Sequence, residues 1–342
     1  MNELPHISLR LHGSMPAADC VALAKIGEES GFTGIWFAEN AFARGILPAA
    51  AVCAAATSRL QINTGVFNPF SRHPTMMAME IGALDELSKG RATLSIGSGI
   101  IAAAGKIGFD AHKPLPALRD TLTIVRGLLR GQEVDHVGPA FSARKVKLDF
   151  APRAGIAIFL AGRGNLTTKL AGEAADGLII SNMCSPEFSR EVAELMRASR
   201  NAAGRSGEGR VIQYMPCAVG ENRTDAVNAA KRAIGAMLPG FWSLGQKLDS
   251  AKRGLIAGTH IAEAEFATVA ARLQAGEDAA DVLDERYVTA FSLAGTPEDC
   301  LFAARRYRVA GITELALTFD GLTAQDDIQR LGSVLATGHP TL

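Results

Sequence analysis

Two patterns alternate along the chain. Short apolar runs are followed by longer stretches whose apolar positions recur every three or four residues. Residues 60–99 show one full unit. The alternating run at 60–66 predicts a strand, ended by Asn68, Pro69, Ser71 and Pro74. Pro74 suits the first position of a helix, with His73 at the cap. Met77, Ile81, Leu84 and Leu87 then share a predicted helical face, stopped by Lys89 and Gly90. Residues 92–96 predict the next strand, which runs into Gly97-Ser98-Gly99.

The same rhythm predicts strands at 6–11, 34–38, 156–160, 177–181, 211–219 and 312–319. It predicts helices at 16–30, 46–58, 115–130, 165 to about 174, 186 to about 203, 223–238, 297–309 and 324–335. Cys20, Leu23, Ala24 and Gly27 are expected to face the sheet. Residues 131–150 read as a hairpin with alternation at 146–150, and residues 240–293 as inserted helices. Eight strands separated by helices predict an α/β fold, a closed (β/α)8 TIM barrel with a helical insertion before the last strand. Residues 1–342 form a single domain on this reading. An open doubly wound sheet is the competitor, because Gly97-Ser98-Gly99 with Ala102 imitates a dinucleotide fingerprint. That fingerprint needs an immediate helix, and Gly105 and Gly108 punctuate a loop instead.

Composition narrows the partners. Lys+Arg and Asp+Glu balance at 35 each with no basic stripe, which argues against nucleic acid. No run approaches a membrane span, and the N-terminal MNELPHISLRLHG lacks the shape of a signal peptide. A cytoplasmic protein is expected. The five cysteines are scattered without a CxxC, as expected of buried free thiols. The seven histidines are dispersed, so no metal is expected.

In a closed barrel the reactive groups gather where strands end. Those ends carry Arg10 and His12, Glu39 and Asn40, Asn68, then Gly97-Ser98-Gly99. They continue with Gly162-Arg163-Gly164-Asn165, Ser181-Asn182, Gln213 or Tyr214, and Phe319-Asp320. No HExxH or GxSxG is present. Such a set suits a protein that orients a cofactor carrying the hard chemistry. Residues 161–165 are a candidate phosphate cradle: two glycines permit close approach, Arg163 adds charge, and a helix begins there. A tight barrel turn explains the same glycines. Glu39 is either an acid–base group or a rim carboxylate paired with Arg10 or Arg44. Met76, Met77 and Met79 read as helix packing.

The stretches GVFNPFSRHP, ALDELSKGRATLSIGSG, KPLPALRDTLTIVRGLLRG, IFLAGRGNLTTKLAGEAADGLIIS and FSLAGTPEDC lie in order from about residue 60 to residue 320. In them the chain resembles the luciferase-like flavin-dependent oxidoreductases, and within these the deazaflavin-dependent methylenetetrahydromethanopterin reductase branch. The resemblance implies a barrel with an insertion, assembled as a homodimer or higher oligomer. It implies coenzyme F420 as cofactor, with FMN as the alternative, and a small-molecule substrate. The implied activity is hydride transfer between reduced F420 and a small organic molecule, or alternatively a reduced-FMN monooxygenase reaction with dioxygen. By position, Gly65, Val66 and Asn68 would back the cofactor ring, and Gly97, Ser98 and Gly99 would line one edge. Gly162, Arg163, Gly164 and Asn165 would hold its phosphate, with Asn182 nearby. A cis Gly65-Val66 peptide is implied at a bulge in the third strand. Glu39 and Asn40, the catalytic candidates, stand where many deazaflavin-using relatives carry Asp-His. Arg10 stands where the reductase branch usually has Glu, so the pocket does not favour methylenetetrahydromethanopterin itself. Residues 100–114 and the 240–293 insertion are expected to shape the substrate pocket.

Overall fold

The computed structural model describes residues 4–99, 105–108 and 114–338. The first half runs β1 (His6–His12), α1 (Ala17–Glu29), β2 (Gly34–Ala38), α2 (Ile46–Ala56), β3 (Gln61–Phe67), α3 (Pro74–Leu87), β4 (Ala92–Ile96) and α4 (Pro114–Leu129). A side hairpin follows, β5 (Val134–Val137) with β6 (Ser142–Val146). The barrel resumes with β7 (Ile158–Ala161), α5 (Asn165–Ala174), β8 (Gly177–Ile180), α6 (Pro186–Ala202), β9 (Arg210–Val219) and α7 (Arg223–Gly245). Four further helices follow: α8 (Asp249–Ile256), α9 (Glu263–Gln274), α10 (Ala279–Val282) and α11 (Glu285–Phe291). The chain ends with β10 (Leu293–Gly295), α12 (Pro297–Val309), β11 (Glu314–Thr318) and α13 (Ala324–Gly338).

Eight strands close on themselves in parallel. β1 pairs with β2 and β11, β2 with β3, β3 with β4, β4 with β7, β7 with β8, β8 with β9, and β9 with β11. β10 adds to the far half of β9, beyond the barrel. The expected closed barrel is therefore present, with the helical insertion before its last strand. Three apolar layers hold it. The largest lies between strands and outer helices and includes the expected Cys20, Leu23 and Ala24. A second fills the barrel itself, where Trp36 sits 5.9 Å from Phe159 and 6.0 Å from Tyr214 between ring centroids. The third joins α7 to the inserted helices and takes in Met183 and Ala218 from the barrel rim. All five cysteines are buried and free.

The end of the barrel away from the strand C-termini is closed by a polar knot. Glu314, 1% exposed, accepts hydrogen bonds from Ser8 Oγ at 2.7 Å and Trp36 Nε1 at 2.6 Å. Its second oxygen pairs with Arg210, which also holds Gln61 Oε1 at 2.9 Å and lies 5.0 Å over the Phe159 ring. Gly34 leaves room for it: a Cβ there would come within 3.2 Å of Asn63, Ser8 and Gln61.

Some local expectations need correction. Leu87 is 48% exposed, whereas Ser88 is fully buried. At about 100° per residue, position 88 returns to within about 20° of Met77, while position 87 lies about 80° away. Met76 and Met79 are likewise exposed, so only Met77 packs. The second hairpin strand is Ser142–Val146, earlier than the alternating run suggested. α7 does not stop before Pro239 but runs through it to Gly245, with Ile234, Leu238 and Gly245 buried. Tertiary burial there outweighs the cost of the proline.

Candidate functional site

β2, β3 and β4 end around a cavity of about 440 Å³. It is lined by Glu39, Asn40 and the turn after them, by Val66, Asn68, Ser71 and Arg72, and by Gly99 and Ile107. The end of β3 makes its inner wall. The β3–β4 register shifts between Thr64 and Phe67, which is a bulge, and the Gly65-Val66 peptide is cis as expected. Gly65 has φ 115°, and a Cβ on it would lie 2.4 Å from the Ser95 carbonyl oxygen, so only glycine fits. Val66 packs against Gly97, where a Cβ would meet Val66 Cγ1 at 2.6 Å. Gly97 thus gives Val66 room to pack close on β4.

Asn68 shapes the loop as well as the cavity. Its Oδ1 accepts from Phe70 N at 3.0 Å, and its carbonyl accepts from Ser71 N and Arg72 N. That turn delivers Arg72 to the site. Arg72 Nη2 lies 3.3 Å from Glu39 Oε1, its Nη1 pairs with Glu80, and its Cζ is 4.6 Å over the Phe67 ring. The expected partners of Glu39, Arg10 and Arg44, are therefore replaced by Arg72. Burial raises the Glu39 carboxyl above the ordinary range, and Arg72 only partly offsets this while Glu80 adds to it. Asn40 lines the cavity but also holds Gly13 N through its Oδ1 at 3.2 Å, so it braces the β1–α1 turn.

The other predicted residues lie elsewhere on the rim. Ser98 is half-buried beside Gly99, whose φ is 57°. Gly162 sits where a Cβ would meet Thr167 Cγ2 at 2.7 Å, and Gly164 caps α5 without any side-chain capping bond. Asn165 opens that helix, so its first amides have no side-chain acceptor. Arg163 bonds Ser181 and the Asn182 carbonyl at 3.3 Å, and stacks 4.9 Å over the Phe241 ring. Its Nη1 is buried without a partner. The uncapped start of α5 suits an anionic group such as a phosphate, whereas Arg163 Nη1 lies against Gly254 of α8.

A smaller cavity of about 170 Å³ lies at the ends of β1, β8, β9 and β11 and is lined by Arg10, Asn182, Pro216, Thr318 and Asp320 among others. Arg10 Nη1 donates to Thr318 Oγ1 at 3.1 Å, and its Cζ is 4.5 Å over the Tyr214 ring. Burial pushes the Tyr214 phenol up to about 12, with Arg10 pulling the other way. Gln213 is not at the mouth. It faces outward, fully buried between Ser189 Oγ at 2.6 Å and the Cys184 carbonyl at 2.8 Å. Arg72 was not singled out from the sequence. Its signal was its place in the break after β3, where the loop must turn back over the cavity. Residues 100–104 and 109–113, expected to shape the substrate pocket, lie outside the described residues.

Among the described residues no helix is long and apolar enough to cross a membrane, and no group of three or more His, Cys, Asp or Glu could hold a metal. The comparisons with known proteins cover nearly the whole chain. It is 30% identical over 293 residues to the 5,10-methylenetetrahydromethanopterin reductase of Archaeoglobus fulgidus, spanning 85% of this chain and 86% of that one. It is 27% identical to the reductase of the same name from Methanolobus tindarius, over 88% and 90%. Its fold matches the coenzyme F420-dependent tetrahydromethanopterin reductase of Methanopyrus kandleri with a TM-score of 0.84 at 22% identity, covering 96% of this chain and 98% of that one. The profile of the luciferase-like monooxygenase family matches residues 4–314, and the chain belongs to that family.

Proposed function

We propose that this chain is an F420-dependent oxidoreductase that transfers a hydride between the reduced deazaflavin and a small organic substrate, as the related methylenetetrahydromethanopterin reductases suggest. One observation carries the reading. The bulged end of β3 brings Val66, packed close on Gly97, to the wall of the cavity whose rim carries Glu39 and Asn68. The planar ring would lie against that wall. When bound, the deazaflavin supplies or accepts the hydride; the protein orients it and the substrate. Gly65, Val66, Asn68, Gly97, Ser98 and Gly99 would hold the ring. Gly162, Arg163, Gly164 and Asn165 would hold the phosphate, with Asn182 behind Arg163. Glu39, buried enough to keep a proton above the usual range, would exchange that proton with the substrate. The barrel and residues 240–293 act as one unit on this reading, because Phe241 of α7 packs on Arg163. Buried free thiols suit a cytoplasmic setting, and a homodimer or higher assembly is the form we expect.

The test is parallel titration with F420 and FMN, followed by turnover with and without dioxygen. We expect F420 to bind and turnover to proceed anaerobically. Binding of FMN alone with a requirement for dioxygen would establish the monooxygenase alternative. A second outcome concerns Arg163. Arg163→Ala should weaken F420 binding by about 1–2 kcal/mol, a loss of one charge-assisted contact, with little change in unfolding. Unchanged affinity in the same titration removes Arg163 from the site.

A further inference from the structure

We propose that the smaller cavity at the ends of β1, β8, β9 and β11 is a subsite for the carboxylate of an organic acid, held by Arg10, and that this carboxylate belongs to the substrate. Its place in the reaction rests on the F420 reading above; the carboxylate contact does not.

Arg10 projects into the barrel mouth from β1 and is only half-exposed. Its Nη1 is used by Thr318, and its face lies on Tyr214. Its Nε is buried and has no hydrogen-bond partner. No carboxylate among the described residues lies within ion-pair distance of it. A partly desolvated cation without a counter-charge is costly, and an anionic ligand removes that cost. The edge of the guanidinium that carries Nε is the one Thr318 leaves free, and that edge suits the two parallel bonds of a planar carboxylate. The one acid lining the cavity, Asp320, is turned to its own backbone, where Oδ1 accepts from Leu322 N at 2.9 Å. Asn182 closes the same wall with its Oδ1 unpartnered, and a half-turn of that amide presents its NH2. The opposite wall is apolar: Ala229, Ala233 and Met237 of α7. A cation at one pole and an apolar wall at the other select an acid with a hydrocarbon body over an inorganic anion.

The experiment is a ligand-observed NMR titration of benzoate, its neutral counterpart benzamide, and phenyl phosphate. It uses wild type, Arg10→Gln and Arg10→Lys, each alone and saturated with F420. Benzoate should bind about 10-fold or more tightly than benzamide. Arg10→Gln should remove that difference by weakening benzoate alone, and Arg10→Lys should retain part of it. Benzoate should stay bound when F420 is loaded. Equal affinities for benzoate and benzamide in wild type overturn the proposal even if a variant fails to fold. So does an unchanged Arg10→Gln protein, or tighter binding of phenyl phosphate than of benzoate. Displacement of benzoate by F420 overturns the assignment to substrate and gives Arg10 to the cofactor. F420 binding, read separately from its own absorbance, shows whether the cofactor reading fails while the carboxylate contact stands.

Discussion

Glu39→Gln is expected to slow turnover by about 10²-fold or more while F420 affinity stays nearly unchanged. Glu39 leaves β2 at the cavity rim with its side chain 21% exposed. Burial raises its proton affinity and Arg72 opposes that from 3.3 Å, leaving the carboxyl above its ordinary range. Glutamine keeps the shape and an acceptor for Arg72 but has no proton to transfer. The pH profile gives the sign. If the protonated acid acts, kcat falls as pH rises through the Glu39 pKa, and that limb lies above the ordinary value of about 4.3. The limb should vanish in Glu39→Gln. Arg72→Met should move it to still higher pH, because the guanidinium is the group holding the carboxylate ionised. Near-normal turnover in Glu39→Gln would make the residue a counter-ion of Arg72 and nothing more.

The second large effect is on stability. Glu314→Ala should cost about 3–5 kcal/mol, read as a lower urea midpoint at unchanged slope. Glu314 ties Ser8 of β1, Trp36 of β2 and Arg210 of β9 from the first position of β11, and Arg210 extends the knot to Gln61 of β3. Alanine leaves the Trp36 N–H buried without an acceptor, leaves the Ser8 hydroxyl only the longer contact to Thr33 Oγ1 at 3.2 Å, and strips Arg210, itself two-thirds buried, of its counter-charge. Cofactor affinity should not change, since the knot lies at the opposite end from the mouth. A loss below about 1 kcal/mol would mean that water or rearrangement replaces the carboxylate readily.

These two residues also mark what a sequence conveys. The eight barrel strands were legible because each carries its own apolar run and its own stop. The Gly97 turn was legible because its glycines are a local signal; the Gly65-Val66 bulge came from the family resemblance, with Gly65 and the Asn68-Pro69 break agreeing with it. Glu39 was legible as a group at a strand end, but its partner was not. Arg10 follows Ser8 by two positions on β1, so period two turns it inward toward Tyr214, away from Glu39. Arg72 reaches Glu39 from 33 residues on through a loop whose path Asn68 sets. The Arg210–Glu314 pair spans 104 residues and depends on barrel closure, which no local pattern encodes. The Pro239 boundary failed for the same reason: burial supplied by the insertion decided it.

Ser185 N–H is held at 3.0 Å by the carbonyl of Gly254 in α8, and Met183 is buried among the inserted helices. Phe241 lies under Arg163. Transient local unfolding of that region must therefore break contacts made by the segment that follows β8 and by Arg163. If Arg163 engages its ligand only when seated on Phe241, that ligand deepens the opening free energy by RT ln(1 + [L]/Kd). Amide hydrogen exchange in α7 and α8 becomes a gauge of occupancy at the barrel mouth, even though those helices need not touch the ligand themselves.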